Sequence, residues 1–238
     1  MSPTPREHAA FGYEPISNFL VVFGGRDDNT VLKDTYVYDI SGKQWYNATA
    51  YSVGPQSRFG MVSGVYKKSL YIASGCDYSV CYSDIWKFDT TTFQWKILFE
   101  SKGDSIATAN QNYENIQAFP LNSQFVARHS GAGGIYPGSP HLIVSGGVNQ
   151  ANAYVGDTFM IDLRDLQLFM LDNAGSAYDP SLPHSRVNHA SAMISASDLL
   201  IFGGCVKRPH CCYYYSDMVR VRLQIAGFSQ VTIGHGRN

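Results

Sequence analysis

Four times along the chain an apolar run ends in glycine, and an aspartate then follows that stands eleven residues before a bulky apolar side chain. The pairs are Asp34 and Trp45, Asp84 and Trp95, Asp157 and Leu168, and Asp217 and Phe228. The glycine steps are Gly24-Gly25 in VVFGG, Ser74-Gly75 in YIASG, Gly146-Gly147 in LIVSGG and Gly203-Gly204 in LLIFGG. An arginine precedes each step: Arg6, Arg58, Arg128 and Arg186. From the second glycine of a step to its aspartate the gap is 9, 9, 10 and 13 residues, so a loop of variable length lies there. From one step to the next the period is 50, 72 and 57 residues. A chain with such a period is built from one supersecondary unit, repeated because a single copy cannot bury its own apolar surface.

Each part of the unit has a physical reading. The run before the glycines is a continuous apolar stretch, which predicts an inner strand buried on both faces. The glycines let the chain leave that strand in conformations a Cβ resists, and let neighbouring units approach. DTYVYD alternates with period two and predicts a more exposed strand. The Trp is expected on an outermost strand, filling space between units. The 238 residues include 16 Tyr, 22 Gly and 10 Pro, a mixture of strand and turn formers that fits an all-β chain.

The ordered set Arg, Gly-Gly, Asp and Trp at a period near 50 residues resembles the kelch repeat, whose unit is one four-stranded blade of a β-propeller. The resemblance covers Arg6 to Phe228, and RVNHASAMISASDLLIFGG comes closest to the start of the family's repeat. It departs at Ser74, at Leu168 in place of Trp, and at Arg222 in place of the trailing Asp. The resemblance implies blades at about 6–50, 58–100, 126–172 and 184–228, an inserted polar loop at 101–121, and a tail or start of a further blade at 229–238. Kelch propellers usually close with five to seven blades, so a fragment of a longer protein is expected. A compact four-bladed ring and an arc completed by another chain are the alternatives.

The formal net charge of -1 offers no electrostatic footprint for nucleic acid or an anionic membrane. No apolar run reaches the roughly 18 residues of a membrane span. The N-terminal residues lack the layout of a signal peptide; with Met1 as the start, a cytoplasmic protein is expected. Gly-x-Ser-x-Gly, a phosphate-cradling loop and His-Glu-x-x-His are all missing from the sequence, so no catalytic residue, cofactor or metal site is expected. His8, His129 and His189 lie at repeat starts, where packing explains them.

Cys76 and Cys205 directly follow a glycine step, and Cys81, or the pair Cys211 and Cys212, follows within a few residues. Loop disulfides and free thiols both fit that spacing; disulfides would indicate an extracellular, oxidising compartment. A local metal site at His210 beside Cys211 and Cys212 is a third reading. Asn47-Ala48-Thr49 forms an N-glycosylation tripeptide.

Two sets of residues are candidates for contact with a partner. In a propeller, equivalent positions of successive blades gather near the central channel, so Arg6, Arg58, Arg128 and Arg186 are expected to converge at one channel mouth. There they would take carboxylates of an acidic peptide through bidentate bonds. Against this stands the reading that each Arg bonds within its own blade. The second set is the loop tyrosines: Tyr78 and Tyr82 in one blade, and Tyr213, Tyr214 and Tyr215 in another. The expected function is a non-catalytic scaffold binding a partner protein or peptide. A disulfide-stapled extracellular adhesion module is the first alternative, and a kelch-like propeller enzyme, oxidase or sugar epimerase in type, is the second.

Overall fold

A computed structural model describes residues 2–100, 125–172, 186–208 and 211–222. The inserted loop 101–121, Phe228, the tail 229–238 and His210 lie outside the described residues. Two compact units make up the chain, Met1–Arg128 and His129–Asn238.

The first unit holds two blades. Blade 1 is the antiparallel meander β1 (Ala10–Glu14), β2 (Phe19–Phe23), β3 (Thr35–Asp39) and β4 (Gln44–Asn47). Blade 2 repeats it with β5 (Val62–Tyr66), β6 (Ser69–Ala73), β7 (Asp84–Asp89) and β8 (Gln94–Glu100). The two-residue β9 (Arg128–His129) follows. Blade 3, in the second unit, is β10 (Ala132–Ile135), β11 (His141–Ser145), β13 (Thr158–Asp162) and β14 (Gln167–Asp172), with the short β12 (Val148–Asn149) in its loop. Blade 4 shows three described blade strands, β15 (Ala190–Ser195), β16 (Asp198–Phe202) and β19 (Met218–Arg222). The hairpin β17 (Cys205–Arg208) and β18 (Cys211–Tyr214) is set between the last two. The described residues are thus all-β and show four propeller blades, with a 3₁₀ turn at Thr49–Tyr51.

The glycine-terminated run is the second strand of each blade. In β6 every residue is buried, and in β11 all but His141. In β2 and β16, by contrast, only one face is closed. The third strand is less exposed than its alternation predicts. All five residues of β13 are buried, as are Asp84, Ile85 and Trp86 at the start of β7. A strand with partners on both edges and cover on both faces has no solvent side, whatever its polarity pattern.

Blade 2 packs face to face on blade 1. Ala10, Val21, Phe23 and Val37 meet Leu70, Ile72, Phe88 and Trp95 in one apolar cluster. A Cβ at Gly12 would fall 2.6 Å from Val65 and 2.7 Å from Leu70, so the close approach of the blades requires that glycine. Trp95, on the fourth strand, lies 4.9 Å from Phe23 and 5.2 Å from Phe88, and its indole N–H donates to the Thr35 hydroxyl at 2.9 Å. In the second unit, Ala132, Ile143 and Met160 of blade 3 pack on Leu199, Ile201 and Val221 of blade 4.

Candidate functional site

The arginine, the glycine step and the leading aspartate of a repeat form one bonded clamp. Arg58 Nη1 donates to the Ser74 carbonyl at 3.0 Å and to Asp84 Oδ1 at 2.5 Å, and Nη2 donates to Asp84 Oδ2 at 2.9 Å. Its Nε donates to the Gln56 carbonyl at 3.1 Å, and the Tyr82 ring lies beneath the guanidinium at 4.1 Å. Arg6 grips the Gly24 carbonyl and both oxygens of Asp34 in the same way. Arg186 grips the Gly203 carbonyl and both oxygens of Asp217, with the Tyr215 ring 4.1 Å away. Arg128 is buried, and its Nε donates to the Val126 carbonyl at 2.8 Å.

This geometry changes what the arginines can do. Side-chain exposure is 1% at Arg58, 3% at Arg186 and 6% at Arg6. Their guanidinium groups neutralise aspartates of their own blades and present little surface to a ligand. The bidentate match to a carboxylate expected from the sequence is present, but the carboxylate is internal. Tyr82 is also no contact residue: it is 5% exposed, stacked on Arg58, and its hydroxyl donates to Asp77.

The glycine step has two unequal positions. The first has φ of +60° to +68°, a left-handed well that an L-residue can enter, and Ser74 enters it at +61°. The second has φ of +85° to +103°. A Cβ there would meet the Glu7 carbonyl at 2.7 Å in blade 1 and the His129 carbonyl at 2.6 Å in blade 3. The Gly25 amide donates to the Arg58 carbonyl at 2.9 Å, and the Gly75 amide to the Arg128 carbonyl at 2.8 Å. The second glycine thereby ties its blade to the arginine that opens the next.

The trailing aspartates have a different task. Asp39 accepts from the Ser41 and Gly42 amides, and Asp89 from the Thr91 and Thr92 amides, capping the turn into the fourth strand. Asp162 accepts from the Arg164 amide and pairs with the Arg164 guanidinium, whose hydrogen bond holds the carboxyl below its usual range.

Beyond each glycine step the chain folds back as a short hairpin. In blade 2, Cys76 and Cys81 are cross-strand neighbours joined by a disulfide. Asp77 accepts from the Ser79 and Val80 amides at the tip. Tyr78, on the same tip, is 65% exposed and leans on Phe59 with ring centroids 6.0 Å apart. In blade 4 the equivalent hairpin is longer, pairing Cys205 with Tyr214 and Arg208 with Cys211. There Tyr213 and Tyr214 are 49% and 74% exposed, and Tyr215 is half-buried and edge-on to Tyr213 at 5.0 Å. Cysteine spacing left a disulfide and free thiols equally open at Cys76 and Cys81, and nothing in the sequence marked which tyrosines would be buried.

Burial raises the Tyr71 pKa to about 12, and burial with the Asp77 hydrogen bond raises Tyr82 further. A raised tyrosine pKa favours the neutral phenol of the folded state. That contribution is complete below the unfolded value near 10 and is lost as pH rises through about 12 at Tyr71. Phenolate absorbance of the folded protein is expected to include a late component near pH 12 that Tyr71→Phe removes. An unchanged titration in that variant would contradict the burial.

Among the described residues, no group of three or more His, Cys, Asp or Glu could hold a metal ion, and no helix is long and apolar enough to cross a membrane. Residues 1–112, blades 1 and 2, match the model of the KLHDC2/KLHL20/DRC7 Kelch-repeats domain. Blades 1 and 2 are kelch repeats. Kelch propellers are commonly protein-interaction scaffolds and are generally non-catalytic. The chain is similar to acyl-CoA-binding domain-containing protein 5 of Arabidopsis thaliana, 27% identical over 123 residues, 48% of this chain and 19% of that protein. It is also similar to acyl-CoA-binding domain-containing protein 4 of the same plant, 28% identical over 82 residues, 34% of this chain and 12% of that protein. The chain thus spans a small part of the relatives it matches.

Proposed function

We propose that this kelch chain is a non-catalytic scaffold that binds a partner protein through the hairpin tips following the glycine steps. The observation that carries the reading is Tyr78: 65% exposed, on a tip fixed by a disulfide, an aspartate-capped turn and a tyrosine stacked on the buried clamp. Tyrosine supplies a large contact area with few rotors to freeze, and a pre-organised loop loses little further freedom on binding. Tyr213 and Tyr214 give the blade 4 hairpin the same character. An acidic peptide loses its support as the ligand, because the guanidinium groups it would need already hold aspartates.

The test is affinity capture with the wild type and with Tyr78→Ser, Tyr214→Ser and Tyr51→Ser. Tyr51 is a control, 60% exposed and outside the hairpins. A specific partner should bind the wild type and the control alike. Its affinity should fall at least tenfold for Tyr78→Ser or Tyr214→Ser, the effect of losing an interface anchor. Equal binding by all four proteins would overturn the reading.

A further inference from the structure

The hairpin that follows the glycine step of blade 2 carries a bond its counterparts do without. In blade 1 the hairpin pairs Arg26 with Val31, and in blade 3 Val148 with Tyr154, with no cysteine at these places. The blade 1 hairpin matches that of blade 2 in length and in bonds. The Asp27 amide donates to the Thr30 carbonyl as the Asp77 amide does to Val80, and the Leu32 amide donates to Gly25 as the Tyr82 amide does to Gly75. Asp27 accepts from the Asn29 and Thr30 amides as Asp77 does from those of Ser79 and Val80. Backbone and aspartate therefore close such a hairpin by themselves. The Cys76–Cys81 disulfide is added to a hairpin that forms without it.

The addition acts locally. A cross-link stabilises a fold mainly by restricting its opened states, and the restriction grows with the length of chain enclosed. The two cysteines are only five residues apart, so the bond weighs less on global unfolding than on opening of the tip, residues 77–80. That tip carries Tyr78, whose place in blade 1 holds Asp28. The exposed ring and the disulfide thus occur together in one hairpin, and its twin has neither. Cys81 also adjoins Tyr82, whose ring lies on Arg58 and whose hydroxyl donates to Asp77. The bond ties a tip that bears a contact residue to the buried clamp.

We propose that the Cys76–Cys81 bond is a reversible redox element that fixes the tip for binding when oxidised and loosens it when reduced. This rests on the reading of Tyr78 as a contact residue and adds the regulation of that contact. The reductant is a protein dithiol of the thioredoxin class. One of its thiolates attacks a hairpin sulfur, the Cys76–Cys81 bond breaks and a mixed disulfide forms; its second thiolate then releases the hairpin. Two electrons and two protons pass to Cys76 and Cys81, and the reductant leaves as its own disulfide. Cys76 and Cys81 are 2% and 5% exposed, so attack follows a local lifting of the tip in which Tyr78 leaves Phe59. A partner seated on Tyr78 opposes that lifting. By linkage, the factor that reduction takes from partner affinity is the factor by which the partner disfavours reduction.

Residue-resolved hydrogen exchange of the full chain, before and after treatment with thioredoxin, tests this. Thiol labelling should find Cys76 and Cys81 open in the still folded protein, and the Ser79 and Val80 amides should exchange about tenfold faster. The Asn29 and Thr30 amides of blade 1 should keep their rates. Cys76→Ser combined with Cys81→Ser should reproduce the fast exchange without reductant and leave the strand circular dichroism unchanged. A bond that opens only with global unfolding overturns the proposal, as does tip exchange that ignores reduction. Exchange needs no partner, so it reads the switch apart from the capture experiment. A partner lost with Tyr78→Ser, yet bound equally by oxidised and reduced protein, overturns the switch and leaves the scaffold reading intact. A partner indifferent to Tyr78→Ser is instead the failure of that reading, and it removes what the switch controls even where the exchange behaves as expected.

Discussion

Replacing Arg58 by alanine is expected to lower the unfolding free energy of the first unit by about 3–5 kcal/mol, the cost of leaving one member of a buried ion pair without its partner. Asp84, with 9% of its side chain exposed, would be left with the Trp86 indole N–H at 2.7 Å as its side-chain partner. The Ser74 carbonyl would lose its donor and Tyr82 the cation on its ring. Arg58→Lys should recover only part of the loss, since an ammonium cannot span both carboxylate oxygens and a carbonyl from one plane. Arg58→Ala with Asp84→Ala should cost less than the sum of the single changes, because no orphaned charge remains. Denaturant unfolding of the four proteins checks this. A stable Arg58→Ala protein would show that the pair contributes little and would return the arginine to the list of ligand candidates.

The second large effect is expected at Trp95. Trp95→Ala removes the ring that fills the joint between blades 1 and 2 and leaves the Thr35 hydroxyl without its donor, for a loss of about 3–5 kcal/mol. Trp45→Ala, at the equivalent place in blade 1, should cost clearly less. Trp45 touches Tyr36 and Tyr38 of its own blade. Equal losses at the two tryptophans would mean that the ring stabilises its own sheet rather than the joint.

The parts legible in the sequence were those with a fixed spacing along the chain. The eleven residues from Asp34 to Trp45 span the third strand, one capped turn and the start of the fourth, all of set length, so the pattern survives in every copy. Burial was less legible. The alternation in the third strand predicts a solvent face, but β13 has none, because cover over a strand comes from segments distant in sequence. The arginines show the same limit. Arg58 and Asp84 were both marked by their repetition, yet they are 26 residues apart and no local pattern couples them. A cation recurring with an anion at matching places in each repeat was the available signal, and it pointed to an internal pair as readily as to a ligand site. Tyr78 and Tyr82 are four residues apart in one loop, one exposed and one buried under a guanidinium. Composition cannot separate them.

The clamp also defines which piece of this chain is copyable. Its three members run from Arg58 through Ser74 to Asp84, and the carbonyl of that same arginine receives the amide of Gly25 from the preceding blade. A genetic duplication cut from one arginine to the next would deliver a sheet with its charge already neutralised and an acceptor ready for the blade before it. A cut between arginine and aspartate would strand opposite charges in different copies. The phase of the repeat, and not merely its length, is therefore under physical constraint, while length varies between clamps and in the hairpin that joins a glycine step to its aspartate.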